Sequence, residues 1–234
     1  MDRGLRVRER LGLADSVTLV NAGVGVVAAA VALSDPATAA RLILLAAITD
    51  AVDGIVARRV GNTEVGPLLD SITDVVSFGA APGLFVYGAA ATAWGRTGTD
   101  PFAGLSPEVV LALTVAWLFV ALSVLRTALY TAFVDEGETR PGIQNTLGAT
   151  ILAAAYLAGL TWVPALLAAS VVLSLAMVAP VQYPKLLARD ALVLGVVQAG
   201  AILAPASLGR VFPRALLVAA LAYMFLGPRF YWGE

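Results

Sequence analysis

Apolar residues run along this chain in blocks of about twenty, parted by short polar breaks, rather than alternating with polar ones. A helix needs roughly 20 apolar residues to cross the hydrocarbon layer of a bilayer. The blocks therefore predict eight membrane-spanning helices, over residues 16–34, 38–58, 67–91, 107–133, 145–163, 165–182, 191–207 and 214–230. The breaks carry turn chemistry: "SDPA", "GNTEVGP", "RTGTDPFAGLSPE", "DEGETRPG", "YPKLLARD" and "GRVFP". The break at Pro164 is so short that the fifth and sixth spans form a tight hairpin. Residues 2–14 predict a short interfacial amphipathic helix, with Arg3, Arg6 and Arg10 on one face. The expected fold class is an all-α integral membrane protein, a polytopic helical bundle with no soluble domain.

Composition supports this. Of 234 residues, 59% are hydrophobic and 13% charged, with a mean hydropathy of +0.86, whereas soluble domains run nearer a quarter charged. There is no cysteine, hence no disulfide framework and no thiolate metal site. There is no histidine either, so acid–base work falls to carboxylates. Fourteen arginines stand against one lysine, Lys185, which points to a GC-rich, archaeal genome. The N-terminus is not read as a signal peptide, because its basic part leads into a full-length span without a small-residue cleavage site. The positive-inside rule orients the bundle. Arg3, Arg6, Arg8, Arg10, Arg58, Arg59, Arg140, Lys185, Arg189 and Arg229 fall on the cytoplasmic side, and Arg41, Arg96, Arg210 and Arg214 outside. A multi-pass protein of the plasma membrane is expected, N-terminus inside. The bilayer is its expected partner and nucleic acid is not.

Against this background "ITDAVDGIVARRVGNTEVGPLLDSITDVVSFG", residues 48–79, stands out. It places Asp50 and Asp53 at the end of the second span, and Asp70 and Asp74 at the start of the third. Residues three or four apart share a helix face, and the short loop makes the two helices antiparallel neighbours. Four carboxylates then converge near the cytoplasmic surface. Such a cluster repels itself unless cations intervene, and an all-oxygen set suits hard cations such as Mg²⁺, Mn²⁺ or Ca²⁺. Gly54, Ala57 and Gly66 on the same faces allow close approach, and Arg58 supplies a cation suited to phosphate. One aspartate near a span end reads equally well as an interfacial residue. Four at helical spacing mark a functional site.

The pattern Asp50-x2-Asp53-Gly54-x2-Ala57-Arg58-x7-Gly66-x3-Asp70-x3-Asp74 resembles the full signature of the CDP-alcohol phosphotransferases, integral membrane enzymes of phospholipid synthesis. The resemblance implies a core over residues 15–182, with residues 183–234 an additional C-terminal transmembrane hairpin beyond the family's six helices. It implies that a CDP-linked lipid passes its phosphatidyl-type group to an alcohol and that CMP leaves. By similarity, Asp50, Asp53 and Asp70 bind a first divalent metal. Asp50, Asp70 and Asp74 serve a second, and Asp74 is the base that deprotonates the acceptor. Gly54, Ala57, Arg58, Gly66 and Thr63 fall to the CDP moiety. "ADSVTLVN", Ala14 to Asn21, is similar to the family's Pro-Asn/Asp-x-x-Thr entry, with Ala14 in place of Pro. It brings Asp15 and Thr18 toward the nucleotide, while an ordinary helix N-cap by Asp15 or Ser16 explains the same residues. Family members are often homodimers, which the resemblance extends to this chain.

The acceptor is read from "LLDSITDVVSFGAAPG", Leu68 to Gly83, which looks like the phosphatidylserine synthase branch. Gly79-x-x-Pro82 within it also suits a simple helix kink. Arg126 is the other intramembrane charge. It matches the first arginine of that branch's Leu-Arg-Leu-Ala-Arg-Phe-Asn, while Leu129 and Thr131 replace the second arginine and the asparagine. Arg126 is thus expected to bind the acceptor's carboxylate, or else to neutralise the aspartates, with Gln144 and Asn145 as further acceptor residues. The leading expectation is transfer to L-serine, from CDP-archaeol in an archaeon or CDP-diacylglycerol otherwise. Glycerol 3-phosphate or inositol phosphate as acceptor keeps the chemistry but calls for more basic residues. A cation transporter is the alternative of another class. It predicts an internal repeat, and no second copy of "DAVDG" or "LLDSITD" occurs.

Overall fold

The computed structural model describes residues 10–61, 63–96, 106–134, 139–184, 186 and 188–231. Among them are eight helices: α1 Leu13–Ala32, α2 Pro36–Val60, α3 Gly66–Ala93, α4 Pro107–Phe133, α5 Asn145–Ala158, α6 Val163–Met177, α7 Ala188–Leu203 and α8 Ser207–Phe230. Residues 2–9 of the expected interfacial helix lie outside the described residues. Four helices, α1, α3, α4 and α8, are long and apolar enough by themselves to cross a membrane. Helix α2 has the length, but Arg41, Asp50, Asp53, Arg58 and Arg59 dilute its hydropathy.

Burial separates inner from outer helices. In α3, 72% of the most apolar stretch is buried, against 33% in α1 and α4 and 28% in α8. Helix α3 is therefore central, while the others turn Trp117, Val218 and Phe225 outward as a lipid-facing surface. Helix α1 packs along α2 and α3, α5 against α2, α4 against α3 and α6, and the α7–α8 pair against α2 and α5. Phe78, Phe85, Phe119, Ile43 and Leu44 fill the centre, with Phe85 edge-on to Tyr156 at 5.3 Å.

Local chemistry sets the boundaries. Asp35 caps α2, accepting from the Thr38 hydroxyl at 2.6 Å and the Thr38 N–H at 3.0 Å. Those bonds hold its carboxyl below the usual carboxylate range. Helix α5 ends at Ala158, where Gly159 takes a left-handed φ of +112°. Pro164 then sits in the first turn of α6 rather than in the turn itself, which spans 159–162. The sixth helix ends at Met177, not at residue 182. Residues Gln182–Pro184 instead form a strand, β2, antiparallel to β1, Thr139–Pro141, with Arg140 opposite Tyr183. Helix α8 is broken at its start by left-handed backbone at Leu208, Gly209 and Arg210.

Within α3 the regular helix widens into a π turn over Val76–Ala80, where the Ala81 N–H reaches back five residues to the Val76 carbonyl. Pro82 is the cause at hand. A proline ring inside a helix clashes with the carbonyl four residues back, here Phe78, and the wider turn relieves it. The expected kink at Gly79-x-x-Pro82 is this π turn.

Close helix contacts rest on small residues. A Cβ on Gly25 would lie 2.5 Å from Ser77 Oγ, and one on Gly88 only 2.0 Å from the Ala32 carbonyl oxygen. The second contact is backbone and cannot yield. Gly88→Ala should therefore cost about 1–3 kcal/mol by overpacking, read as a lower Tm in detergent. Gly23→Ala, where a Cβ meets nothing within 4 Å, is the control and should leave Tm unchanged or slightly raised.

Candidate active site

Helices α2 and α3 deliver the carboxylates as their spacing predicts. Asp50, Asp70 and Asp74 each place an oxygen within 4.8 Å of the others. Asp50 and Asp74 are half-buried and Asp70 is exposed at the rim. Asp74 Oδ1 is buried without a hydrogen-bond partner among the described residues. Asp53, one turn beyond Asp50, stands beside this trio. It is buried, its Oδ2 also lacks a partner, and the Thr18 hydroxyl lies within reach of its carboxylate. Unpartnered carboxylate oxygens in an all-oxygen cluster fit a hard divalent cation. Asp50, Asp70 and Asp74 are the residues that would hold it, with Asp53 alongside.

The residues assigned to the nucleotide divide into two groups. Arg58 lies over Gly54, where a Cβ would stand 3.4 Å from Arg58 Nη1, so the glycine leaves the guanidinium room next to the backbone. Ala57 occupies the turn between them. Asp15, Thr63 and Gly66 instead form a knot. The Thr63 hydroxyl donates to Asp15 Oδ2 at 2.9 Å and accepts from the Gly66 N–H at 3.0 Å. Asp15 also accepts from the Gly12 N–H at 2.7 Å. Gly12, not Asp15 or Ser16, is the N-cap of α1, and Asp15 is its N3 residue. The knot ties the start of α1 to the loop between α2 and α3, which fixes the entry to the aspartates. The Thr18 hydroxyl, one turn on, donates to the Ala14 carbonyl at 3.2 Å.

On the other flank Arg126 is 8% exposed, and its Nε lacks a partner among the described residues. Its guanidinium sits 5.3 Å from the centre of the Tyr130 ring and within Coulombic reach of Asp74. Asn145 is buried and donates to Thr127 Oγ1 at 2.7 Å and to the Ser123 carbonyl at 3.3 Å. It fastens α5 to α4 beside Arg126, and its Oδ1 has no partner among the described residues. Gln144 is the N-cap residue of α5. Thr131, which stands where the serine branch has asparagine, shares a 2.9 Å hydrogen bond with Ser71.

Two features of the site go beyond the sequence pattern. Arg140 belongs by sequence to the cytoplasmic loop charges, yet it lies 5.8 Å from the same Tyr130 ring and within Coulombic reach of Asp50, Asp70 and Asp74. Its position four residues before Gln144 was the available signal. A buried polar seam is a second such feature: Asn21, with both amide atoms unpartnered among the described residues, Ser77, which donates to the Asn21 carbonyl at 3.1 Å, and Ser123. An asparagine inside an apolar span was its signal.

Comparison with known proteins shows the family. The family model described as CDP-alcohol phosphatidyltransferase matches residues 11–182. The archaetidylserine synthase of Methanothermobacter thermautotrophicus is 26% identical over 184 residues, 77% of this chain and 72% of that protein. The CDP-diacylglycerol–serine O-phosphatidyltransferase of Methanocaldococcus jannaschii is 39% identical over 82 residues, 35% of this chain and 38% of its own length. That of Mycobacterium tuberculosis is 32% identical over 131 residues, 55% of this chain and 40% of its own.

Proposed function

The chain belongs to the CDP-alcohol phosphatidyltransferase family, and from that premise we propose that it transfers the phosphatidyl-type group of CDP-archaeol to L-serine, with release of CMP. The observation that carries the proposal is the three-carboxylate cluster of α2 and α3 with the buried Arg126 within Coulombic reach of Asp74. The archaetidylserine synthase match and the arginine-rich composition support the archaeal donor.

The chemistry follows from the residues. Asp74 takes the proton of the serine hydroxyl. The hydroxyl oxygen then attacks the phosphorus that carries the lipid. The new P–O bond forms in line as the bond to the CMP oxygen breaks, and CMP leaves with that electron pair. Such transfer depends on positioning and charge neutralisation more than on covalent catalysis. Asp50, Asp70 and Asp74, with Asp53 alongside, would hold a divalent cation, which when bound would supply charge neutralisation for the diphosphate and the leaving oxygen. Mg²⁺ or Mn²⁺ suits this set. Arg58, over Gly54, meets the CDP phosphates. Asp15 and Thr63 act by holding the entry in place. The proposed orientation puts the site on the cytoplasmic side of the plasma membrane, where CDP-lipid and serine are both at hand.

The test is purified protein with CDP-archaeol, Mn²⁺ or Mg²⁺, and labelled serine or glycerol 3-phosphate, with CMP release as readout. Serine should be the productive acceptor. A guanidinium binds a carboxylate with two parallel hydrogen bonds and an ammonium does not. Arg126→Lys should therefore raise the KM for serine, and Arg126→Ala should remove most transfer while CDP-lipid binding survives. An unchanged serine KM in both variants, or a wild-type preference for glycerol 3-phosphate, would count against the acceptor assignment.

A further inference from the structure

The matched family region ends at residue 182, and no residue of α7 or α8 has entered the site described above. The hairpin nevertheless reaches it through one short path. At one end α7 is fixed to α2: Gln198 Nε2 donates to the Leu44 carbonyl at 2.6 Å, and Arg41 Nε to the Ile202 carbonyl at 2.7 Å. At the other end, tyrosines clamp strand β2. The Tyr183 hydroxyl donates to the Met224 carbonyl at 3.1 Å, and the Tyr223 hydroxyl to the Pro184 carbonyl at 2.5 Å. Tyr223 packs on Tyr183, with ring centres 6.1 Å apart, and edge-on to Tyr231 at 5.9 Å. Tyr231 in turn bonds Asp190 at the start of α7.

Strand β2 carries β1, and β1 carries Arg140. The Gly142 N–H to Val181 carbonyl bond, 2.8 Å, continues the pairing by one step. Arg140 Nε is buried and unpartnered among the described residues, as Arg126 Nε is. The two guanidiniums share Tyr130 and lie within Coulombic reach of each other. Two like charges on one ring call for an anion near them; Asp74 is within Coulombic reach of both, but a divalent cation at the aspartates would take up those carboxylates and leave the guanidiniums to an anionic substrate group. We propose that Arg140 is a second guanidinium for the acceptor's anionic group, and that the α7–α8 hairpin is the element that positions it, acting through Tyr183, Tyr223 and the β1–β2 pair. Holding Arg140 in advance removes the ordering cost that a free side chain would pay on binding.

This inference rests on the serine reading, and wild-type transfer to serine is the control that keeps the two apart. With that control in place, Arg140→Gln should raise the serine KM about tenfold or more, while the KM for CDP-lipid stays within about twofold. Arg140→Lys, which keeps the charge and loses the fork, should fall between and covers the case of a poorly folded Gln variant. Tyr223→Phe keeps the ring and loses only its bond to the Pro184 carbonyl. It should raise the same KM with kcat preserved. Combined with Arg140→Gln it should add nothing, because it acts through Arg140. An unchanged serine KM in Arg140→Gln overturns the inference and leaves the serine reading standing. A rise in the CDP-lipid KM instead assigns Arg140 to the donor diphosphate and also overturns it. Additive effects of Tyr223→Phe and Arg140→Gln would show that the hairpin does not work through Arg140.

Discussion

Asp50→Asn and Asp70→Asn should each reduce CMP release to background, and chelation of divalent metal should do the same to the wild type. The two residues come from different helices, yet their oxygens share one 4.8 Å cluster with Asp74. An amide nitrogen at either position removes a ligand oxygen and a full negative charge. The decisive readout lies outside catalysis. Without metal, removing one carboxylate relieves repulsion among the rest, so each variant should melt at or above the wild-type temperature. With metal at a hundred times its Kd, the wild type should gain about 2.7 kcal/mol, and the variants should gain little. Full activity in excess chelator, or the same metal-induced rise in Tm in both variants, would refute a metal site here.

Asp74→Asn should lower kcat by about 10²–10⁴, the range expected for loss of a general base. The affinity for CDP-lipid should stay within a few-fold, because the residues proposed to meet the donor, Arg58 and Gly54, lie on the other helix, α2. Asparagine matches aspartate in shape, so Oδ1, buried and without a partner among the described residues, is replaced without a cavity. What is lost is the ability to accept a proton. Asp74 also belongs to the acidic cluster that could hold a metal, and a metal titration separates the two roles. A loss of rate at saturating metal belongs to the base, whereas a loss recovered by more metal belongs to the ligand. A normal rate would reassign Asp74 to structure.

The site's carboxylates were legible because a charge inside an apolar span has few neutral explanations, and spacings of three and four put Asp50 with Asp53 and Asp70 with Asp74. The helices were legible for the same reason, since block length is set by the bilayer. Boundaries were less so. Pro164 reads as a break, but a proline is equally at home in a helix's first turn, and Gly159 made the actual turn. Asp15 and Thr63 read as two separate nucleotide contacts. Their mutual hydrogen bond joins α1 to a distant loop, and no local pattern encodes it. Arg140 was hidden for a related reason. It lies on β1, which pairs with β2 far along the chain, and strands of three residues with a proline in each leave almost no periodic signal.

The π turn of α3 has a geometric consequence for this site. One residue beyond the α-helical count advances everything downstream by about 100° around the helix axis. Helix α3 therefore behaves as two rods on one shaft with a fixed phase offset. The first rod keys Asp70 and Asp74 toward Asp50. The second, from Ala81 to Ala93, keys its buried face toward the lipid-shielded centre of the bundle. Restoring a uniform helix by deleting one residue from Val76–Ala80 would remove that offset: either the apolar face or the aspartate pair would have to turn away from its counterpart.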